Sequence, residues 1–334
     1  MRPFVFERVE NAARASRHAT GQGETRAKAA FLAGGTTLLD LMKLDVLRPE
    51  RVVDISALAG RHGRIDIGPD RLTLGAFATM AAAGDEPQLR TRYPAIAQSL
   101  LLAASPQLRN MATLGGNVLQ RTRCAYYRDT SWMACNKRDP GSGCAAIVGF
   151  NRNTAVLGVD EHCIAAYPGD FGVALAALDA EVEIAGDAGE RRIPFRDLHH
   201  PAGQPDREHT LKPGEVIIAF HVPGGALARR SLYLKVRDRE SYEFALASAA
   251  VALDLDGSVV RQARIGLGGV AYRPWRAEAA EQALIGHAVT EASARHAAEL
   301  ALEGAITHGA NDHKPELSRR TLVRALLEAA AMEI

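Results

Sequence analysis

Ser105-Pro106-Gln107-Leu108-Arg109-Asn110-Met111-Ala112-Thr113-Leu114-Gly115-Gly116-Asn117 has neither the 3.6-residue period of an amphipathic helix nor the alternation of a strand. It leads into a loop that holds every cysteine of the chain, Cys124, Cys135, Cys144 and Cys163. Thiols used as small hydrophobes would be scattered among apolar faces. Confined to one 40-residue window, they are expected to converge on one thing. The stretch itself suits a planar ligand lying against backbone: small residues permit close approach, and N–H, hydroxyl and amide groups meet a polar edge. Read alone, it is equally an ordinary glycine turn.

A second glycine pair lies upstream, in Ala29-Ala30-Phe31-Leu32-Ala33-Gly34-Gly35-Thr36-Thr37-Leu38-Leu39-Asp40-Leu41-Met42-Lys43. A short apolar run enters the glycines, Thr36 or Thr37 stands at the N-cap, and Leu38, Leu39, Leu41 and Met42 supply a helical apolar face. Strand, glycine turn and helix start together form an arrangement that cradles a phosphate. The plainer reading of this motif alone is a tight turn with glycines for geometry. The spacing is not Gly-x-Gly-x-x-Gly, so a nicotinamide-binding unit is not indicated.

Around these motifs the pattern is α+β. A strand near Phe4–Phe6, a helix over Asn11–Ala19 and strands over Arg51–Ile55, Arg64–Gly68 and Arg71–Gly75 are expected, so that residues 1–60 form a small β-α-β lobe. Residues 61–225 form a larger lobe with the cysteine loop, 121–165, as an insertion. This lobe carries a helix over Gln88–Ala104 interrupted near Pro94, a helix from Phe171 to Leu178 and then a strand to Ile184, the segment Ile193–Leu198 and a loop over His199–Gln204, and a strand over Val216–Val222. Pro223-Gly224-Gly225 is the best boundary in the chain. Beyond it, residues 226–334 read as an antiparallel sheet (Leu232–Val236, Ala245–Leu255, Ala263–Val270) with helices over Ala277–Ile285, Glu291–Gly304 and Ser318–Ala331.

The totals exclude several classes. At 334 residues, 47% hydrophobic and 24% charged, the chain can bury a real core. A net charge of +1 with interspersed signs leaves no basic stripe for nucleic acid, and 5% aromatic content argues against stacking platforms. No apolar run approaches a membrane span, and the N-terminus lacks a hydrophobic signal core. The expected location is cytoplasmic, or across a membrane in folded form on a partner's signal.

Ten, eight and eighteen residues separate the successive cysteines, and no Cys-x-x-Cys pair occurs. Spacing alone leaves three fates open: a four-iron cluster with all-thiolate ligands, a zinc site, or disulfides and free thiols. Arg121, Arg123, Arg128, Lys137 and Arg138 make the loop basic, which suits an anionic cluster and equally suits a solvated surface.

Phe31–Leu39 followed by Gln107–Asn117 resembles the pair of flavin-binding motifs of the molybdenum hydroxylase (xanthine dehydrogenase) family. The cysteine loop resembles an insertion in the FAD subunits of bacterial periplasmic aldehyde oxidoreductases. The resemblance continues through Lys235–Arg239 and Gly268–Arg276 and covers essentially the whole chain. It implies a two-lobed FAD domain of the vanillyl-alcohol-oxidase type and a C-terminal domain like that of CO dehydrogenase flavoproteins. Leu32, Ala33, Gly34, Gly35, Thr36, Thr37, Leu38 and Leu39 would wrap the FAD pyrophosphate, with Thr37 where the family commonly has asparagine. Ala103, Ala104, Ser105, Arg109, Thr113, Gly115, Gly116 and Asn117 would line the flavin, with Asp170, Ile217 and Lys235 as further contacts. Cys124, Cys135, Cys144 and Cys163 would ligate a [4Fe–4S] cluster.

The implied role is that of the flavin and iron–sulfur subunit of a heterotrimer. A large partner with the molybdenum cofactor would oxidise an aldehyde to a carboxylate, and a small partner with two [2Fe–2S] clusters would pass the electrons to this FAD and on to an external acceptor. No residue of this chain is assigned a catalytic role. Export to the periplasm would follow a twin-arginine signal on a partner. Alternatives are a subunit like those of 4-hydroxybenzoyl-CoA reductase or xanthine dehydrogenase, a free-standing flavin oxidase, or a zinc-stabilised interaction subunit without redox chemistry.

Overall fold

The computed structural model describes residues 1–18 and 25–334. The strands among them form three sheets. In the first, β1 (Val5–Arg8), β2 (Ala29–Leu32) and β3 (Arg51–Asp54) run parallel in the order β1-β3-β2. Parallel neighbours need a crossover, and the helix Leu38–Lys43 provides the one from β2 to β3, burying Leu41 and Met42. The expected helix over Asn11–Ala19 is present as Ala12–Ser16, capped by the Asn11 side chain, which accepts from Arg14 N at 2.9 Å. Ala19 lies outside the described residues.

The second sheet is antiparallel, in the order β4 (Ile65–Ile67), β5 (Arg71–Gly75), β8 (Val216–Pro223), β6 (Glu181–Gly186), β7 (Gly189–Pro194). β8 sits at its centre with every residue from Val216 to Val222 buried, which is why it is apolar but for His221. The helices Met80–Asp85, Pro94–Leu101 and Asp170–Ala177 share its core through Met80, Ile96, Leu100, Phe171 and Leu175. The third sheet runs β12 (Trp275–Arg276), β11 (Val259–Gly268), β10 (Ala247–Asp256), β9 (Ser231–Val236), all antiparallel. With the helices Glu278–Leu284, Glu291–Ala301 and Lys314–Ala330 it closes a separate core.

Two expectations need correction. The stretch Ser105–Asn117, without periodicity in the sequence, is two short helices, Pro106–Met111 and Leu114–Val118. Ser105 Oγ caps the first by accepting from Leu108 N at 3.3 Å, and Thr113 Oγ1 caps the second by accepting from Gly116 N at 3.2 Å. Helices of five or six residues are too short to display a period, and the hydroxyl-before-Pro106 signature was their legible trace. The last helix begins at Lys314 rather than Ser318, because Pro315 occupies its first turn.

Candidate functional site

The two glycine motifs meet. A Cβ on Gly34 would stand 1.9 Å from the carbonyl oxygen of Met111, so only glycine lets the first motif lie on the end of the helix Pro106–Met111. Gly35 follows at φ +75°, a left-handed conformation that turns the chain into the helix Leu38–Lys43. The second motif is fixed from beneath: Leu114 N and Gly115 N donate to Ala78 O (2.9 Å) and Ala76 O (2.7 Å), and Met80 N donates to Ala112 O (2.9 Å).

Between the motifs lies a cleft open to solvent, with about 1150 Å³ of space counted together with its solvent-filled mouth. Ala33, Gly34, Gly35, Thr36, Thr37 and Leu38 contribute to its lining from the first motif, and Thr113, Gly115 and Gly116 from the second. Val216 and Ile217 of β8 join them, with Arg121 and His209. Thr37 stands at the N-cap, yet its hydroxyl makes no capping bond. Asn117 does not line the cleft; its Nδ2 donates to Met80 Sδ at 3.2 Å, while its Oδ1 is buried with no partner.

The remaining expected site residues do not line this cleft. Leu32 and Leu39 flank Gly35. Ala103, Ala104, Ser105, Arg109, Asp170 and Lys235 gather where the helix Pro94–Leu101 ends. Arg109 donates to Ala103 O at 2.8 Å, and Ala104 turns the chain at φ +51°. Lys235 Nζ donates to Asp170 Oδ2 at 2.7 Å and to Leu102 O at 3.1 Å, and Tyr233 donates to Asp170 Oδ1 at 2.5 Å. The side chains of Lys235 and Asp170 are 1% and 4% exposed. Burial raises the Asp170 carboxyl above its ordinary range, against the downward pull of Lys235.

The four thiols share one locus. Cys135 and Cys144 face each other across an isolated antiparallel bridge, and Cys144 hydrogen-bonds Cys163 through their side chains. Cys124 packs into the apolar groups that contain each of the other three. All four are free of disulfides. Burial pushes the Cys124 thiol up to about 11, whereas the Cys163 contact brings Cys144 down to about 6 and drives Cys163 up. Among the described residues no three of His, Cys, Asp and Glu are grouped to hold a single metal ion. Four thiols with no imidazole or carboxylate among them are a donor set that an iron–sulfur cluster accepts and that a zinc accepts as well.

The basic residues of the loop are only partly a solvated surface. Lys137 is buried, donating from Nζ to Glu208 Oε1 at 2.7 Å and to the Tyr272 hydroxyl at 2.8 Å. Arg121 pairs with the same Glu208 and donates to Thr25 Oγ1 at 2.9 Å. Glu208 and Tyr272 were not expected at a site: each is an isolated residue in the sequence, and no local spacing marks it. His209, beside Glu208, lines the cleft with Nδ1 buried and unpartnered, and burial lowers its pKa to about 3.

Comparison with known proteins agrees with this arrangement. Residues 7–225 match the FAD binding domain in molybdopterin dehydrogenase, and residues 232–334 match the CO dehydrogenase flavoprotein C-terminal domain. The chain is 42% identical over 334 residues to the aldehyde oxidoreductase FAD-binding subunit PaoB of Escherichia coli (strain K12), with 99% of both chains covered. It is 29% identical over 330 residues to the carbon monoxide dehydrogenase medium chain of Afipia carboxidovorans, covering 99% of this chain and 96% of that one. Among solved structures, reconstituted CO dehydrogenase from Oligotropha carboxidovorans superposes with a TM-score of 0.75 at 26% identity, over 100% of each chain. With two facing glycine motifs, a sheet-and-helix second half and matches along nearly its entire length, the chain belongs to the molybdenum hydroxylase family of oxidoreductases as an FAD-binding subunit.

Proposed function

We propose that this chain is the flavin and iron–sulfur electron-transfer subunit of a heterotrimeric aldehyde oxidoreductase. A large partner with the molybdenum cofactor oxidises aldehydes to carboxylates, a small partner carries two [2Fe–2S] clusters, and electrons leave this subunit to an external acceptor. The domain division is read at 225/226, after Pro223-Gly224-Gly225. The observation that carries the reading is the meeting of Gly34 with the Met111 carbonyl, which turns two distant glycine motifs into one cleft. The 42% identity to an aldehyde oxidoreductase subunit supports the substrate class.

When bound, FAD supplies the ability to take up an electron pair and release electrons singly. The chain's own part is binding and orientation. Residues 32–39 give the pyrophosphate a turn of close-approaching backbone with two threonine hydroxyls. Thr113, Gly115, Gly116 and Ile217 bound the remainder. The carbonyls of Leu102 and Ala103 and the Asp170–Lys235 pair fix the segment that runs from Ala103 to Arg109. Cys124, Cys135, Cys144 and Cys163 are the ligands of a [4Fe–4S] cluster in this reading, since their sulfurs gather without forming disulfides. Export in folded form with a partner bearing a twin-arginine signal accounts for a periplasmic location.

Cofactor analysis of the purified protein tests the reading. The expected result is one FAD, about four iron and about four acid-labile sulfides per chain. Cys124→Ser lowers the iron while the FAD absorbance of the wild type defines the reference. One zinc and no flavin absorbance would instead identify a non-redox interaction subunit.

A further inference from the structure

Among the described residues that line the dinucleotide cleft, Arg121 is the one that carries a formal charge. Its side chain is only 7% exposed. Glu208 pairs with it and also with Lys137, so two cations share one carboxylate. Tyr127 and Tyr272, which flank the group, stay neutral because burial raises their hydroxyls. The three side chains together carry one positive charge more than they balance; Lys137 faces the cysteines through Cys163, whereas Arg121 is the member of the group that faces the cleft. A buried excess charge is costly unless an anion compensates it. The cleft beside it opens onto Gly34, Gly35, Thr36 and Thr37, and the dinucleotide of this family brings a dianionic pyrophosphate.

We propose that Arg121 is a pyrophosphate-binding residue of this cleft, and that Glu208 and Lys137 are its positioning residues. The inference rests on the reading of the cleft as the FAD site. Arginine suits the task because its planar fork meets two oxygens of one phosphoryl group at once. Its own freedom is small: Thr25 Oγ1 accepts from Arg121 at 2.9 Å and donates to Lys137 O at 2.8 Å, and the guanidinium lies 5.4 Å from the Tyr127 ring centroid. Lys137 stands two residues beyond Cys135, so the cysteine loop reaches the cleft through this triad. The same loop holds the first motif's helix, where Arg128 bridges both oxygens of Asp40 at 2.8 and 3.0 Å.

The test uses the full-length chain, purified with any subunits that accompany it, freed of flavin and titrated with FAD and with riboflavin, which lacks the pyrophosphate. Arg121→Gln is expected to weaken FAD roughly ten- to a hundredfold, the worth of a hydrogen bond to a charged group. Riboflavin affinity should stay within about twofold of wild type, since no contact to it is lost. Lys137→Met, which removes the excess charge but leaves the Arg121–Glu208 pair, is expected to weaken FAD selectively as well. Arg121→Lys keeps the charge without the fork, and its FAD affinity should fall between those of wild type and Arg121→Gln. Equal losses for FAD and riboflavin would make Arg121 a structural residue and overturn the proposal, and so would unchanged FAD affinity in Arg121→Gln. A wild-type chain that binds no FAD would instead sink the reading of the cleft itself.

Discussion

Gly34 is the residue on which the cleft turns. Any side chain there drives a Cβ into the Met111 carbonyl, a backbone atom that cannot swing aside. Gly34→Ala is expected to cost about 1–3 kcal/mol through overpacking and to lose bound flavin. Urea unfolding and the flavin-to-protein absorbance ratio check both, and wild-type values would contradict the contact. Two histidines near the cleft set a pH dependence. Burial lowers His199 to about 4 and His209 to about 3, so the fold holds both neutral. His199 Nε2–H donates to Val118 O at 3.0 Å. Below the ordinary histidine value near 6.5 the unfolded chain takes up protons that the folded chain refuses. Stability therefore falls as the pH drops from about 6.5 to about 4, by about 1.4 kcal/mol per pH unit for each histidine. His199→Gln should halve that slope, and a flat profile between pH 7 and 5 in urea unfolding would contradict the assignment.

At the scale of elements, the Asp170–Lys235 pair staples the helix Asp170–Ala177 of the first half to β9 of the second. Removing one partner of a buried pair strands the other charge. Lys235→Met is thus expected to destabilise by roughly 3–5 kcal/mol. The double variant Asp170→Asn/Lys235→Met should recover part of that loss, because no buried charge is left unpaired. Denaturant midpoints of the three variants decide it, and additive losses would show that the two side chains are not coupled. Elements were unevenly legible in the sequence. β8 and β10 follow from their apolar runs, and the hydrophobic stripe of the last helix marks Leu322 and Leu326 as core. The helices Pro106–Met111 and Leu114–Val118 did not, since a turn and a half of helix has no measurable period and only its capping hydroxyls speak for it.

For the whole molecule, two of the three sheets border the cleft, the first through β2 and the second through β8, and the cysteine loop reaches it at Arg121. No helix among the described residues is long and apolar enough to cross a membrane. The sequence by itself determined the glycine motifs, the α+β pattern and the gathering of thiols in one loop. Each of these depends on the conformational preferences of a residue and its near neighbours, which the order of the chain records. Only the tertiary structure decided that Gly34 meets Met111, that Lys137 finds Glu208 across 71 residues and Tyr272 across 135, and that Asp170 is neutralised by Lys235 across 65. A buried ion pair is selected by which backbone segments pack together and exclude water, and neither charge carries a local mark of its partner. That is why the cysteine loop's basic residues read either as partners of an anionic cluster or as a solvated surface, while in the folded protein two of them are buried on one shared carboxylate beside the cleft.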